Sequence, residues 1–144
     1  MLWWWDNYGI HQYPKAKTIL ILCDAGGANS YRHYAFKIQM LELVKQIGLD
    51  IIICHYPPYA SKWNPIEHRL FAHVNHEIKG VPFTDYKFVK ELIAQTRTKT
   101  GLKVFVRLNL EPYQTGLRFT KDDVDFSRIS FNKNIPKLSY RITA

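Results

Sequence analysis

Two carboxylates stand where a cation site would need them. Asp24 follows directly on the apolar run Thr18–Cys23, TILILC. Glu67 closes Asn64-Pro65-Ile66-Glu67, a short way beyond a second apolar run, Leu49–Cys54. Carboxylates are hard oxygen ligands, and Mg2+ often takes only a few of them together with water and phosphate. Paired ions of this kind stabilise the attacking and leaving oxygens of a phosphodiester displacement. Ligands of open α/β sheets sit at the carboxyl ends of strands. If the two runs are neighbouring strands, both carboxylates point into one crevice. Blander roles stay open. An Asp after a strand commonly forms an Asx-turn or a helix N-cap, and Glu67 can close a capping box with Asn64.

Other chemical candidates are weaker. Gly26-Gly27 is neither a Walker nor a Rossmann fingerprint, so turn chemistry is the better reading. His68, His73 and His76 share one predicted helix, but their offsets do not give the His-x-x-x-His pair of zinc enzymes, and a surface role is expected. The two cysteines, Cys23 and Cys54, each end an apolar run and read as small core residues in a reducing compartment.

The elements that must position the carboxylates are legible. TILILC and LDIIIC are continuous and rich in β-branched residues, the pattern of fully buried strands in a parallel sheet. Between them Phe36, Met40, Leu43, Val44 and Ile47 recur at helical spacing, predicting a helix over 31–47 that Gly48 ends. Residues 18–54 therefore form a β-α-β unit with parallel strands. In His55–Leu70, HYPPYASKWNPIEHRL, Pro57-Pro58 stops the second strand. Asn64 at the N-cap and Pro65 at the first helical position then open a helix over 65–79, closed by Gly80.

Further predictions complete the chain. Residues 1–9 read as the end of a helix stopped by Gly9, with Trp3, Trp4 and Trp5 needing cover. Thr84 caps a helix over 85–96. Leu102–Leu110 alternates apolar and polar, predicting a half-exposed strand. Thr120–Asp123 reads as a capping box opening a short helix to about Ser127, and Lys137–Ile142 as a last strand.

Length and composition bound the class. At 144 residues, 47% of them hydrophobic, the chain is expected to be one domain with a packed core. A net charge of +8 favours a polyanionic partner, nucleic acid first. Lys87, Lys90, Arg97, Lys99, Lys103 and Arg107 are candidates for a basic face, and Lys62 and Arg69 flank the Glu67 segment. No apolar run reaches the length of a membrane span, so a cytoplasmic protein without a membrane partner is expected.

Three blocks carry a family resemblance: CDAGGANSYRHYAFK (Cys23–Lys37), HYPPYASKWNPIEHRLF (His55–Phe71) and TRTKTGLKV (Thr96–Val104). With the amino-terminal tryptophans, YQTG (Tyr113–Gly116) and the closing LSYRI, they closely resemble the Rhodopirellula-type DDE transposase domain, a bacterial insertion-sequence family. Pro-Pro, a short loop and Asn-Pro-Ile-Glu is also the third-carboxylate signature of related DDE transposases.

The resemblance implies a ribonuclease H-like α/β fold, and Mg2+- or Mn2+-dependent DNA strand cleavage and transfer. It implies Asp24 and Glu67 as second and third carboxylates of the triad, holding the metal. DNA bearing terminal repeats is the implied partner, in a nucleoid-associated setting. Lys62, Arg69, Arg97, Lys99 and Lys103 are the residues expected to touch it. The first triad aspartate belongs on an upstream β-meander, and Asp6 does not match it. The expectation is thus a carboxyl-terminal portion with an incomplete fold, two buried parallel strands, helices and an α+β extension. Such a chain would be inactive alone. It would work with full-length transposase or an upstream-encoded fragment, or act as a DNA-binding or dominant-negative partner.

Overall fold

β1 (Thr18–Cys23) and β2 (Asp50–His55) form where the two apolar runs lie, and they pair in parallel from Thr18↔Asp50 to Cys23↔His55. This is seen in a computed structural model that describes all residues except 25 and 113–115, and except the side chain of Ser61. Of the YQTG segment, therefore, only Gly116 lies within the described residues. The described chain falls into two compact units, residues 1–61 with 116–144, and residues 62–115.

In the first unit, α1 spans residues 2–12 as α-helical Leu2–Trp4, a wider π-helical stretch Trp5–Gly9, and α-helical Ile10–Gln12. Gly9 does not stop this helix, contrary to the sequence expectation. A Cβ there would lie 2.5 Å from the Trp5 ring and 3.0 Å from that of Trp4, so the glycine allows close packing inside the helix. Trp5 is buried, whereas Trp3 and Trp4 remain partly exposed. α2 (Tyr34–Ile47) begins three residues later than expected and ends at Gly48, whose φ of 68° suits a residue without Cβ.

β3 (Ile129–Phe131) and β4 (Ser139–Ile142) complete a four-stranded open sheet in the order β1-β2-β4-β3. Only the β1–β2 pairing is parallel; β4 runs antiparallel to both β2 and β3. The fold is mixed α/β. β1 is an edge strand, and its burial corrects the sequence reading. Leu20 and Leu22 are exposed, so one face of TILILC is uncovered where a fully buried strand was expected. β2 meets the expectation better: Ile51 and Ile53 are fully buried. They pack with Phe36, Leu41, Val44 and Ile142 in the core. Two short 3-10 turns, Lys121–Asp123 and Phe126–Arg128, replace the short helix, and the Thr120–Asp123 capping box is present.

In the second unit, α3 spans residues 65–78 and α4 is Tyr86–Ala94. The α4 cap is Asp85, not Thr84: its carboxylate accepts the Phe88 amide at 2.9 Å. The expected strand over 102–110 does not form. Among the described residues that segment makes a single antiparallel bridge, Arg97↔Lys103. No helix among the described residues is long and apolar enough to cross a membrane.

Candidate nucleic-acid and cation site

Asp24 is delivered by the end of β1. Its strand partner His55 is followed by Tyr56, whose amide donates to the Cys23 carbonyl at 2.8 Å, so the chain after β2 stays beside Asp24. The Asp24 side chain is exposed. Among the described residues it has no ion-pair or hydrogen-bond partner. It lines an open cleft of about 380 Å³ with Gly26, Ser30, Arg32, Pro58 and Tyr59. A Cβ on Gly26 would lie 3.6 Å from Asp24 Oδ2, so the bare glycine leaves that flank of the carboxylate clear.

Behind Asp24 the wall is buried and polar. His55 stacks edge-on against Tyr31 and Phe36 and tilted against Tyr140, with ring centroids 5.8–6.1 Å apart. Its Nε2 lies 3.4 Å from the Tyr140 hydroxyl. Burial holds the imidazole below its ordinary pKa, the Asp24 backbone opposing and the Lys37 charge reinforcing that shift. Lys37 is itself buried, donating to the Tyr31 carbonyl and lying over the Tyr140 ring at 5.5 Å. Desolvation lowers its pKa. Burial, with the nearby Asp24 charge, pushes the Cys23 thiol up to about 11, so it stays protonated and inert.

The described lining of this cleft holds a single carboxylate with oxygen donors beside it. Asp24 offers a hard, unpaired carboxylate in an opening that faces solvent, and Ser30 adds a hydroxyl at its wall. Arg32 places a positive charge in the same cleft.

Glu67 belongs to the second unit, at the start of α3. Asn64 caps the helix: its carbonyl accepts the Glu67 amide at 3.0 Å and its Oδ1 the Ile66 amide at 3.4 Å. No hydrogen bond among the described residues runs back from the Glu67 carboxylate to the Asn64 amide, so the capping box is absent. Glu67 is exposed and opens a π-helical stretch, Glu67–Phe71, in which the Ala72 amide reaches back to the Glu67 carbonyl. His68 donates from Nε2 to the Lys62 carbonyl at 2.7 Å, pinning the segment that leads into the helix. That is a structural role, and His73 and His76 are exposed. No group of three or more His, Cys, Asp or Glu side chains that could hold a metal occurs among the described residues.

The basic candidates Lys62, Arg69, Arg97, Lys99 and Lys103 are all exposed and all in the second unit. Arg97 and Lys103 are partners in an isolated antiparallel bridge, joined by a turn in which Thr98 Oγ1 meets Thr100 Oγ1 and the Leu102 amide, each at 3.0 Å. Lys99 lies on that turn. The structure thus gathers three of the five cations on one hairpin. Lys62 instead lies over the Trp63 ring at 5.3 Å, and Arg69 is on α3. Sequence reasoning missed Arg32 and Tyr59, the cation and the exposed aromatic of the Asp24 cleft. The sequence signal was only their nearness to Asp24 and Pro57-Pro58.

Comparison with known proteins adds one finding. A family model described as the Rhodopirellula transposase DDE domain matches residues 1–144. Searches of curated proteins and of solved structures each returned no match.

Proposed function

The chain belongs to the Rhodopirellula transposase DDE domain family, and from that premise we propose that it takes part in cation-dependent cleavage and transfer of DNA ends. The observation that carries this reading is Asp24, an unpaired carboxylate at the carboxyl end of β1 in a cleft that also holds Arg32. The parallel β1–α2–β2 core supports a ribonuclease H-like architecture, a reading finer than the mixed α/β fold itself.

In this reading Asp24 and Glu67 are the ligands for Mg2+ or Mn2+. When bound, the cation supplies a Lewis acid that activates a water or 3′-hydroxyl and stabilises the leaving oxygen. The chain's own residues do the rest. Asp24 and Glu67 present oxygen donors from ends of regular elements, Pro65 and Asn64 fix the helix start that carries Glu67, and Arg32 draws a phosphate into the cleft. The π-helical turn at Glu67 fits a functional position, since such turns concentrate there.

The test is calorimetric titration of Mn2+ into the full chain, with and without terminal-repeat DNA. The DNA-bound chain should take up Mn2+ in a manner lost in both Asp24→Asn and Glu67→Gln. Any strand cleavage of that DNA should likewise be lost in both variants. Mn2+ uptake untouched by both substitutions would sink the assignment.

A second reading, a non-catalytic DNA-binding or dominant-negative partner of full-length transposase, is favoured by the Arg97–Lys99–Lys103 hairpin and the +8 charge. Binding through these cations should weaken with salt, the slope of log K on log[salt] being about −0.9 per duplex phosphate contact. Removing all three charges should flatten it. Salt-indifferent binding would exclude this reading.

A further inference from the structure

Tyr59 is 97% exposed and has a φ of 66°. Both facts are unfavourable for a tyrosine. The left-handed region suits Gly or Asn, and a non-Gly residue is held there only by its surroundings. A fully hydrated aromatic ring contributes nothing to a core. The ring nevertheless has a fixed platform. It follows Pro57-Pro58, whose φ angles are locked, and the turn is closed by the Ala60 amide donating to the Pro57 carbonyl at 3.1 Å. On the same cleft, the Arg32 guanidinium lies 5.4 Å over the Tyr31 ring, with Nε donating to the Tyr31 hydroxyl at 3.2 Å. Arg32 is exposed and makes no ion pair among the described residues.

A presented aromatic face, a held but unpaired guanidinium and a carboxylate therefore surround one opening of about 380 Å³. That is the size of a pocket for a single small ligand, too small for a duplex. Aromatic faces that stack bases beside cations that hold phosphates are how proteins grip unpaired strands.

We propose that Tyr59 and Arg32 form a subsite for one unpaired nucleotide of a DNA strand, the base stacking on Tyr59 and a backbone phosphate on Arg32. The subsite rests on the transposase reading of the Asp24 cleft and deepens it: the strand is taken frayed, with a nucleotide splayed out beside the carboxylate. Tyr59 and Arg32 act here as strand-positioning residues.

The test needs no cleavage and is run on the full chain in EDTA. A single-stranded oligonucleotide carrying 5-iodouracil is photocrosslinked, next to the same sequence as a blunt duplex. The crosslink should map to the peptide containing Tyr59 and be stronger for the single strand. Tyr59→Asn, which suits the left-handed backbone and so keeps the loop, should weaken single-strand binding roughly tenfold. Arg32→Gln should do the same, Tyr59→Asn should leave duplex binding unchanged, and Tyr59→Trp should keep single-strand binding. Single-strand affinity unchanged in Tyr59→Asn, with duplex binding intact, would overturn the subsite and leave the transposase reading standing. Failure of the unaltered chain to bind either DNA form at low salt would overturn both.

Discussion

The Tyr56 amide donates to the Cys23 carbonyl one residue past the last pair of β1 and β2. The parallel ladder thereby continues one residue beyond the strands, which brings Tyr56 beside Asp24. This single bond aligns the two walls of the cleft. The Tyr56 amide should accordingly exchange with deuterium as slowly as amides within β2, although Tyr56 lies outside the strand. Exchange at the rate of an open loop, followed by NMR, would show that the two walls are not tied.

Lys37 tests what a buried cation is doing behind Asp24. Its ammonium is desolvated and holds the Tyr31 carbonyl. Lys37→Met keeps the volume and removes the charge. Replacing buried charges by apolar groups is often neutral or stabilising, so the urea midpoint should correspond to a change of less than about 1 kcal/mol. Amides of residues 31–33 should exchange faster once the carbonyl is released. A loss of several kcal/mol would instead make the ammonium a keystone of the fold.

Asp50 links the start of β2 to β4. Its carboxylate accepts the Ala144 amide at 2.8 Å and Arg141 Nε at 2.9 Å, and these bonds hold its pKa below the ordinary 3.8. The unfolded chain then binds the proton more readily. The contribution is full above 3.8 and is lost as pH falls from there through the folded value. Asp123 and Asp125 are lowered by their own hydrogen bonds and act in the same direction. Asp50→Asn should therefore reduce, without abolishing, the steepness of acid unfolding followed by circular dichroism. An unchanged acid limb would mean that the carboxylate is not held in solution.

Cys23 should resist alkylation. With its thiol protonated to about 11 and its side chain buried, iodoacetamide at pH 8 should modify it only after denaturant is added. Mass spectrometry of the native protein showing rapid labelling at Cys23 would place that strand end in the open.

The sequence made the parallel pair legible because β-branched runs bounded by Asp24 and by Pro57 have few other solutions. It overstated the burial of β1, since TILILC looks the same whether one face or two are covered, and Leu20 and Leu22 share the face that is left exposed. The alternation of Leu102–Leu110 announced two faces but not a partner strand, and among the described residues the one β-bridge of the segment is Arg97↔Lys103. Gly9 read as a stop because a glycine's usual cost in a helix is visible in sequence, whereas two tryptophan rings needing its missing Cβ are not. Asp24 and Glu67 were visible as carboxylates after strand and helix signals. Arg32 and Tyr59 were not, because exposure and a positive φ leave no periodic trace.

Residues 62–115 are interposed between β2 and the strand that completes its other edge, β4. During synthesis β1, α2 and β2 emerge before those residues, and β2 must wait for an entire second unit before Ile51 and Ile53 gain Ile142 and Tyr140 as register partners. The sheet is therefore a late event in the life of the nascent chain. An apolar strand edge is left unsatisfied for that interval, the kind of exposure that chaperones exist to cover.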